Sequence, residues 1–126
     1  MKLACIDIGL KRIGMAISLQ SGIVTPIPAV LRKNRNQASN DVLKVLNEWE
    51  IEKLVVGFPS ASEDMQKRIT NFINLLDFDK EIIFQEENMS SIEAEDLIKG
   101  EIKYKRDGRI DSLAAKIILE RYLNEK

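Results

Sequence analysis

Hydrophobic residues in the first quarter of the chain form three runs that predict β-strands. Residues 2–8 predict a buried strand, an apolar run that is too short for a helix and contains one acid, Asp7, and Gly9 begins a tight turn after it. The segment "RIGMAIS" then predicts a second strand, antiparallel to the first. A third run, "IVTPIPAVL", contains Pro26 and Pro28. Because prolines two residues apart remove donors from the same side of a strand, we expect this strand at a sheet edge.

Helical spacing of apolar residues alternates with strands in the middle of the chain. The segment "NQASNDVLKVLNEWE" predicts a helix, and "KLVVGFP" predicts a fourth, buried strand. Ser60 and Glu63 have the spacing of a capping box for a second helix. The candidate N-caps of the first helix are Asn36, Ser39 and Asn40. The apolar face of the first helix is Val42, Leu43, Leu46 and Trp49. The apolar face of the second helix is Met65, Ile69, Phe72, Ile73 and Leu76.

The last part of the chain adds a fifth strand, "EIIFQ", and two more predicted helices. Ser90 and Glu93 form another capping-box pattern, and Gly100 ends that short helix. Ile110, Leu113, Ala114, Ile117 and Ile118 define the apolar face of the final helix. The order predicts one α/β domain over residues 1–126: a mixed five-stranded sheet, three antiparallel strands followed by parallel crossovers, with helices on both faces.

Composition narrows the chemistry that this domain can perform. The chain has no histidine, which excludes histidine-dependent triads and the commonest zinc ligand. Carboxylates remain as candidate ligands, and these favour Mg²⁺ or Mn²⁺. A single cysteine, Cys5, lies in an apolar run and predicts a buried side chain in a reducing, cytoplasmic compartment. No apolar run is long enough to span a membrane, so we expect no membrane partner.

Positive charge is concentrated in two segments although the net charge is only −1. The first segment, "LRKNRN", carries Arg32, Lys33 and Arg35, and the second lies between the predicted third and last helices. Taken alone, each of the two segments could be a solvated loop. Both together, near acidic sites, suggest contacts with a phosphate backbone. The cations of the second segment, "KGEIKYKRDGR", are Lys99, Lys103, Lys105, Arg106 and Arg109.

Acidic residues occupy three special positions in the predicted fold. Asp7 lies inside the first strand, Glu86 and Glu87 end the fifth, and Asp111 begins the last helix. Taken alone, Asp111 is explained by its favourable interaction with the dipole of the last helix, and the two glutamates are explained as solvated charges at a strand end. Asp7 differs, because burying a carboxylate without a partner costs several kcal/mol of folding free energy. If strand one is central, the last helix brings Asp111 towards Asp7, and strand five supplies Glu87. A divalent cation relieves the repulsion among three such carboxylates.

Four segments of this sequence resemble one known family. "IDIGLKRIGMAIS" is similar to the family's D-x-G-x-K-R-I-G-x-A opening, and "LVVGFP" to its V-V-G-L-P strand. "EENMSSIEAE" lies where the family has D-E-R, a small hydroxyl pair and E-A, and "RIDSLAAKIILERYL" is similar to its closing D-x-x-A-A helix. The chain therefore resembles the YqgF-type Holliday-junction resolvases, also described as pre-16S rRNA nucleases, of the RNase H-like superfamily.

This resemblance implies a metal-dependent nuclease with an RNase H-like fold. Asp7, Glu87 and Asp111 would be the catalytic acids and would bind Mg²⁺ or Mn²⁺, with two cations expected. Lys11 and Arg12, beside Asp7, are candidates for holding substrate phosphates. Further candidates for contacting nucleic acid are Lys103, Lys105, Arg106 and Arg109. The third segment departs from the pattern, because Glu86 replaces Asp and Asn88 replaces an arginine that could bind phosphate through two hydrogen bonds.

Other functions are compatible with parts of this pattern. Actin-like kinases also open with an Asp-x-Gly hairpin, but they close two such domains around ATP. A noncatalytic nucleic-acid-binding module would explain Asn88, yet it has little reason to keep three costly acids. Within the nuclease hypothesis, the near-neutral charge and small size favour processing of the pre-16S rRNA 5′ end over resolution of branched DNA, which calls for a symmetric dimer. The sequence leaves monomer and homodimer open.

Overall fold

A computed structural model describes residues 1–20, 22–86 and 108–125 of the chain. The helix predicted between Ser90 and Gly100 lies outside these ranges. The described strands and helices, in chain order, are β1 Leu3–Ile8, β2 Arg12–Gln20, β3 Ile23–Leu31, α1 Arg35–Glu48, β4 Lys53–Phe58, α2 Glu63–Leu75, β5 Glu81–Glu86 and α3 Gly108–Asn124.

The described strands form one mixed sheet in the order β3-β2-β1-β4-β5. The first three strands pair antiparallel, β4 pairs parallel with β1, and β5 pairs parallel with β4. Strand β3, which carries Pro26 and Pro28, lies at an edge as predicted, where missing N–H donors interrupt no further pairing. The predicted mixed five-stranded sheet is confirmed, and β1 lies at its centre.

Side chains of β1 alternate between two apolar layers. Ala4, Ile6 and Ile8 face α1 and α2, whereas Leu3 and Cys5 face α3. The second layer continues through Ala16 and Val55 to the buried residues of α3, which include Ala115, Ile118 and Leu119. Helices therefore cover both faces of the sheet, and Cys5 is buried as predicted.

The two central helices begin at residues other than the predicted caps. Asn34, not Asn36, Ser39 or Asn40, caps α1: its side chain accepts a hydrogen bond from the Gln37 backbone N–H, and the Gln37 side-chain oxygen accepts one from the Asn34 backbone N–H, which completes a capping box. Ser62, not Ser60, caps α2 by accepting from the Met65 N–H. The predictions failed because several adjacent polar residues have the side chains of an N-cap, and the backbone path chooses among them.

Helix α3 packs across β1, β2 and β3 through small and aliphatic side chains. Ile110, Ala114 and Ile118 of the predicted apolar face are fully buried. The predicted face of α1 is less complete, because Val42 and Leu46 are buried but Trp49 is 39% exposed. Among the described residues, no helix is long and apolar enough to cross a membrane.

Candidate active site

Asp7 lies near the end of the central strand and is buried, with 9% of its surface exposed. The alternation of β1 places it on the α3 face, after Leu3 and Cys5. Its partner across the antiparallel ladder is Gly14 of β2. Directly opposed residues in such a ladder point to the same face and have Cα atoms about 5 Å apart. Whatever contacts Gly14 on this face is therefore a close neighbour of Asp7.

The backbone of Asp111 makes that contact. A Cβ atom added at Gly14 would overlap the carbonyl oxygen of Asp111 and would lie 2.8 Å from the backbone nitrogen of Ser112. Since only glycine leaves this space empty, Gly14 lets the first turn of α3 rest directly on β2. The structure thus brings Asp7 and Asp111 to the same end of the same face, as the sequence predicts.

An ion pair orients the Asp111 side chain. Nε of Arg12 donates to Oδ2 of Asp111 across 3.0 Å, and both side chains are partly buried, with 23% and 18% exposed. Sequence reasoning proposed Arg12 only as a contact for substrate phosphate. The structure adds a second role, because Arg12 joins the start of β2 to the start of α3.

Ser112 attaches the same turn of α3 to two strands. Its hydroxyl donates to the carbonyl oxygen of Ile27 in β3 across 2.6 Å and accepts from the Met15 N–H in β2 at 3.3 Å. The side chain is buried, so the hydrogen bond from Met15 is shielded from water, and the one to Ile27 is partly shielded. Sequence reasoning missed Ser112 and Gly14 as supports of the site, because neither residue type signals a contact between distant segments.

Glu86 belongs to a different environment from Asp7. It pairs with Phe58 at the end of the parallel ladder, and its Oε1 accepts from the Ser60 hydroxyl at 2.6 Å. This register places Glu86 on the α1–α2 face, opposite to Asp7. Glu87 lies outside the described residues. Within residues 1–20, 22–86 and 108–125, no group of three acidic or cysteine side chains is placed to hold a metal ion.

A cleft of about 580 Å³ opens beside the turn between β1 and β2. Asp111 and Arg12 form part of its wall. The other polar and charged side chains in the wall are Lys11 from the turn, Arg32 after β3 and Arg68 from α2, and the apolar ones include Leu10 and Met65. The sequence did not predict that Arg68 lines this cleft, because exposed arginines are common on surface helices.

Arg32 is held in place at the edge of this cleft. Its Nη1 donates to the carbonyl oxygen of Gly9 across 2.9 Å, and its guanidinium lies 5.8 Å from the centre of the Phe72 ring. Burial lowers the pKa of Arg32 from its ordinary value, and the nearby charges of Arg35 and Arg68 lower it further. Arg32 remains a cation at neutral pH, because arginine is not deprotonated in proteins.

The predicted basic contacts are described only in part. Lys11 is exposed in the turn after β1, and Arg109 is exposed in the first turn of α3, two residues before Asp111. Lys103, Lys105 and Arg106 lie outside the described residues. The roles of all these cations in binding nucleic acid stay predictions.

Comparison with known proteins identifies the family. The RuvX family, described as Holliday junction resolvase, matches residues 1–125. The chain belongs to the RuvX family. The predicted family and the predicted nuclease class are thereby confirmed.

Relatives of this RuvX chain match it along almost its whole length. A protein of Sulfurovum sp. (strain NBC37-1) is 58% identical over 127 residues, covering 98% of this chain and 99% of its own. One of Sulfurimonas denitrificans is 55% identical over 129 residues, covering 100% and 99%. Both carry the description "Putative pre-16S rRNA nuclease".

Solved structures share the fold at low sequence identity. The fowlpox virus Holliday junction resolvase superposes with a TM-score of 0.61 and 16% identity, covering all of both chains. Thermus thermophilus RuvC gives 0.59 and 11%, covering 99% of this chain and 95% of its own. These likenesses, with the mixed sheet described above, confirm the predicted RNase H-like fold of this RuvX chain.

Proposed function

We propose that this RuvX chain is a nuclease that depends on a divalent cation and processes the 5′ end of pre-16S rRNA. The substrate is carried over from the two relatives that are 58% and 55% identical over nearly full length. The RuvX membership and the likeness to a resolvase fold support phosphodiester hydrolysis as the reaction.

We propose Asp7, Glu87 and Asp111 as the catalytic acids. The observation that carries this assignment is the packing of Asp111 on Gly14, the ladder partner of Asp7, because it brings two acids from distant segments together. Glu87 rests on the sequence alone, through its place after β5 in the family's third motif. Glu86 is excluded from this set, since its side chain lies on the other face and bonds to Ser60.

These acids suit a hard divalent cation. Asp7 and Asp111 offer carboxylate oxygens, which are the ligands that Mg²⁺ and Mn²⁺ prefer. A cation bound there supplies Lewis acidity and lowers the pKa of coordinated water. Arg12 pairs with the Asp111 carboxylate at the cleft wall, Gly14 leaves the space that the first turn of α3 occupies on β2, and the Ser112 hydrogen bonds hold that turn to β2 and β3.

Basic side chains near the acids would hold the substrate strand. Lys11 projects from the turn that follows Asp7, where a phosphate could approach the site. Arg109 precedes Asp111 in the same helical turn and would attract the backbone from the α3 side. We include Lys103, Lys105 and Arg106 in this group from the sequence.

The proposal is tested by a cleavage assay with paired acid variants. Purified protein is incubated with Mg²⁺ or Mn²⁺ and a precursor rRNA that carries the 5′ leader, and a synthetic four-way DNA junction runs in parallel. Asp7→Asn and Glu87→Gln should abolish cleavage, whereas Glu86→Gln should retain it, since Glu86 faces away from Asp7. Equal cleavage by wild type and Asp7→Asn, or equal loss in both glutamate variants, would contradict the assignment.

Metal binding is tested separately by thermal unfolding. We expect Mn²⁺ to raise the melting temperature of the wild type and of Glu86→Gln, because a ligand that binds only the folded state stabilises it. Asp7→Asn should lose that rise. A rise that persists in Asp7→Asn would place the cation elsewhere.

Resolution of branched DNA is the second candidate. The description of the RuvX family as Holliday junction resolvase favours it. The four-way junction in the assay decides between the two: cleavage of the junction without cleavage of the leader would replace the rRNA proposal with this one.

A further inference from the structure

The cleft beside the β1–β2 turn gathers positive charge from separate parts of the chain. Its four cations come from the turn, the start of β2, the residue after β3, and α2. Asp111 is the one carboxylate that lines the cleft in the described part of the chain, and Arg12 pairs with it. The three other cations, which face the cleft with no carboxylate partner among the described residues, are Lys11, Arg32 and Arg68.

Bringing these charges together is unfavourable in the unliganded protein. The pKa of Arg32 is lowered by burial first, then by repulsion from Arg35 and Arg68. Such repulsion indicates that an anion between Arg32 and Arg68 would be stabilised by both.

Arg32 is also organised before any ligand arrives. The Gly9 carbonyl and the Phe72 ring hold its guanidinium in one orientation, and the Gly9 bond occupies only one of its five N–H donors. A planar group held in this way can donate two parallel hydrogen bonds to a phosphate with little further loss of side-chain entropy.

Apolar side chains stand beside these cations. Leu10 is 66% exposed at the tip of the turn, and Met65 of α2 lies in the same cleft wall. A wall that combines cations with exposed apolar surface suits a nucleotide, whose phosphate is charged and whose base is flat and largely apolar on its faces.

We propose that this cleft binds single-stranded RNA next to the cleavage site, with Arg32 and Arg68 holding a phosphate that is not the one cleaved. Leu10 and Met65 contact the base of the adjoining nucleotide. The cleft reaches the site because Asp111 lines both. The choice of RNA rests on the proposed function, whereas the phosphate contact rests on the charges of the cleft.

Binding is measured in the absence of divalent cations, so that no cleavage occurs. The probe is a short, fluorescently labelled single-stranded RNA, and its dissociation constant is determined by anisotropy at several salt concentrations. Arg68→Gln should raise the Kd about tenfold and reduce the slope of log K against log salt by about 0.7, because one phosphate contact is lost. Lys67→Gln removes the same charge from the neighbouring exposed position outside the cleft and should change the Kd by less than about twofold.

Two further variants separate the parts of the proposal. Arg32→Lys keeps the charge but loses the planar fork, so binding should weaken in a protein whose thermal unfolding shows that it is folded. Leu10→Ala should raise the Kd about threefold with an unchanged salt slope, since it removes contact with a base and no charge. An unchanged Kd in Leu10→Ala would overturn the base contact.

Equal weakening by Arg68→Gln and Lys67→Gln would overturn the cleft as a built site, because the attraction would then be general. No weakening by Arg68→Gln would overturn it as well. Single-stranded DNA of the same sequence, bound as tightly as RNA, would contradict the choice of RNA. These binding measurements need no catalysis. A failure of RNA binding in the cleft can therefore be distinguished from a failure of the proposed nuclease function.

Discussion

Gly14 and Asp111 make a backbone contact that leaves no room for a side chain. The carbonyl oxygen of Asp111 occupies the position that a Cβ of residue 14 would take. The contact joins a central antiparallel strand pair to the first turn of the last helix, and it lies across the ladder from Asp7. The stability of the fold and the geometry of the proposed site therefore depend on the same few atoms.

Gly14→Ala should destabilise the protein strongly. The added methyl group meets backbone atoms of Asp111 and Ser112, which cannot rotate away, so we expect a loss of about 3 kcal/mol in the free energy of unfolding, measured with urea. Gly22→Ala is the control: residue 22 has a φ of 84° but open space around it, and strain alone should cost about 1 kcal/mol. Similar losses in the two variants would show that the contact is not steric.

Arg12→Gln should affect catalysis more than folding. The ion pair with Asp111 is partly buried but borders the open cleft, so its loss should lower the free energy of unfolding by about 1–2 kcal/mol, between the values for exposed and fully buried pairs. Cleavage should fall about tenfold or more, as expected when a residue that orients a proposed metal ligand is removed. Arg12→Lys, which keeps the charge without the planar fork, should lie between wild type and Arg12→Gln in kcat. A fall in kcat that merely follows the loss of folded protein would refute this role.

Asn34→Ala tests the observed start of α1. Loss of the hydrogen bond from the Gln37 N–H to Asn34 should cost about 1 kcal/mol, measured by chemical denaturation. Asn36→Ala is the matched variant, because Asn36 lies inside the helix, where alanine is the better helix former. It should leave stability unchanged or raise it slightly. A larger loss of stability in Asn36→Ala than in Asn34→Ala would instead support Asn36 as the cap, as the sequence pattern suggested.

Through Lys53, we expect the stability of the folded protein to fall at alkaline pH. Its ammonium lies 3.3 Å from the Tyr122 hydroxyl and 3.5 Å from a Glu81 carboxylate oxygen, and the hydrogen bond to Tyr122 is the main reason that its pKa is raised above 10.5. Because folding raises this pKa, the contact contributes its full stability below pH 10.5 and loses it as the pH rises through the higher folded-state value. Tyr122→Phe should therefore lower stability at neutral pH and flatten its decline above pH 10.5, measured by urea titration at each pH. An equally steep decline in Tyr122→Phe would assign the effect to other groups.

Local chemistry in the sequence was enough to predict the edge position of β3 and to single out one buried acid. Pro26 and Pro28 place β3 at the edge, because their missing donors could not serve a central strand. Asp7 stood out because it interrupts a buried apolar run, and the structure places it, buried, near the end of the central strand. Periodicity also located Ile110, Ala114 and Ile118 on the buried face of α3, since burial depends on spacing along the helix, but it missed the buried Ala115 and Leu119.

Tertiary structure decided which distant residues meet. The observed helix caps are Asn34 and Ser62 and not the predicted residues, because the backbone path selects one polar residue among several. Gly14 supports Asp111, and Arg32 and Arg68 face one cleft, because the folded sheet brings together segments separated by dozens of residues. By itself, the sequence determined the elements and the buried acid, since these follow from neighbouring side chains. The charge arrangement around that acid depends on how β-strands and helices pack, and only the tertiary structure decided it.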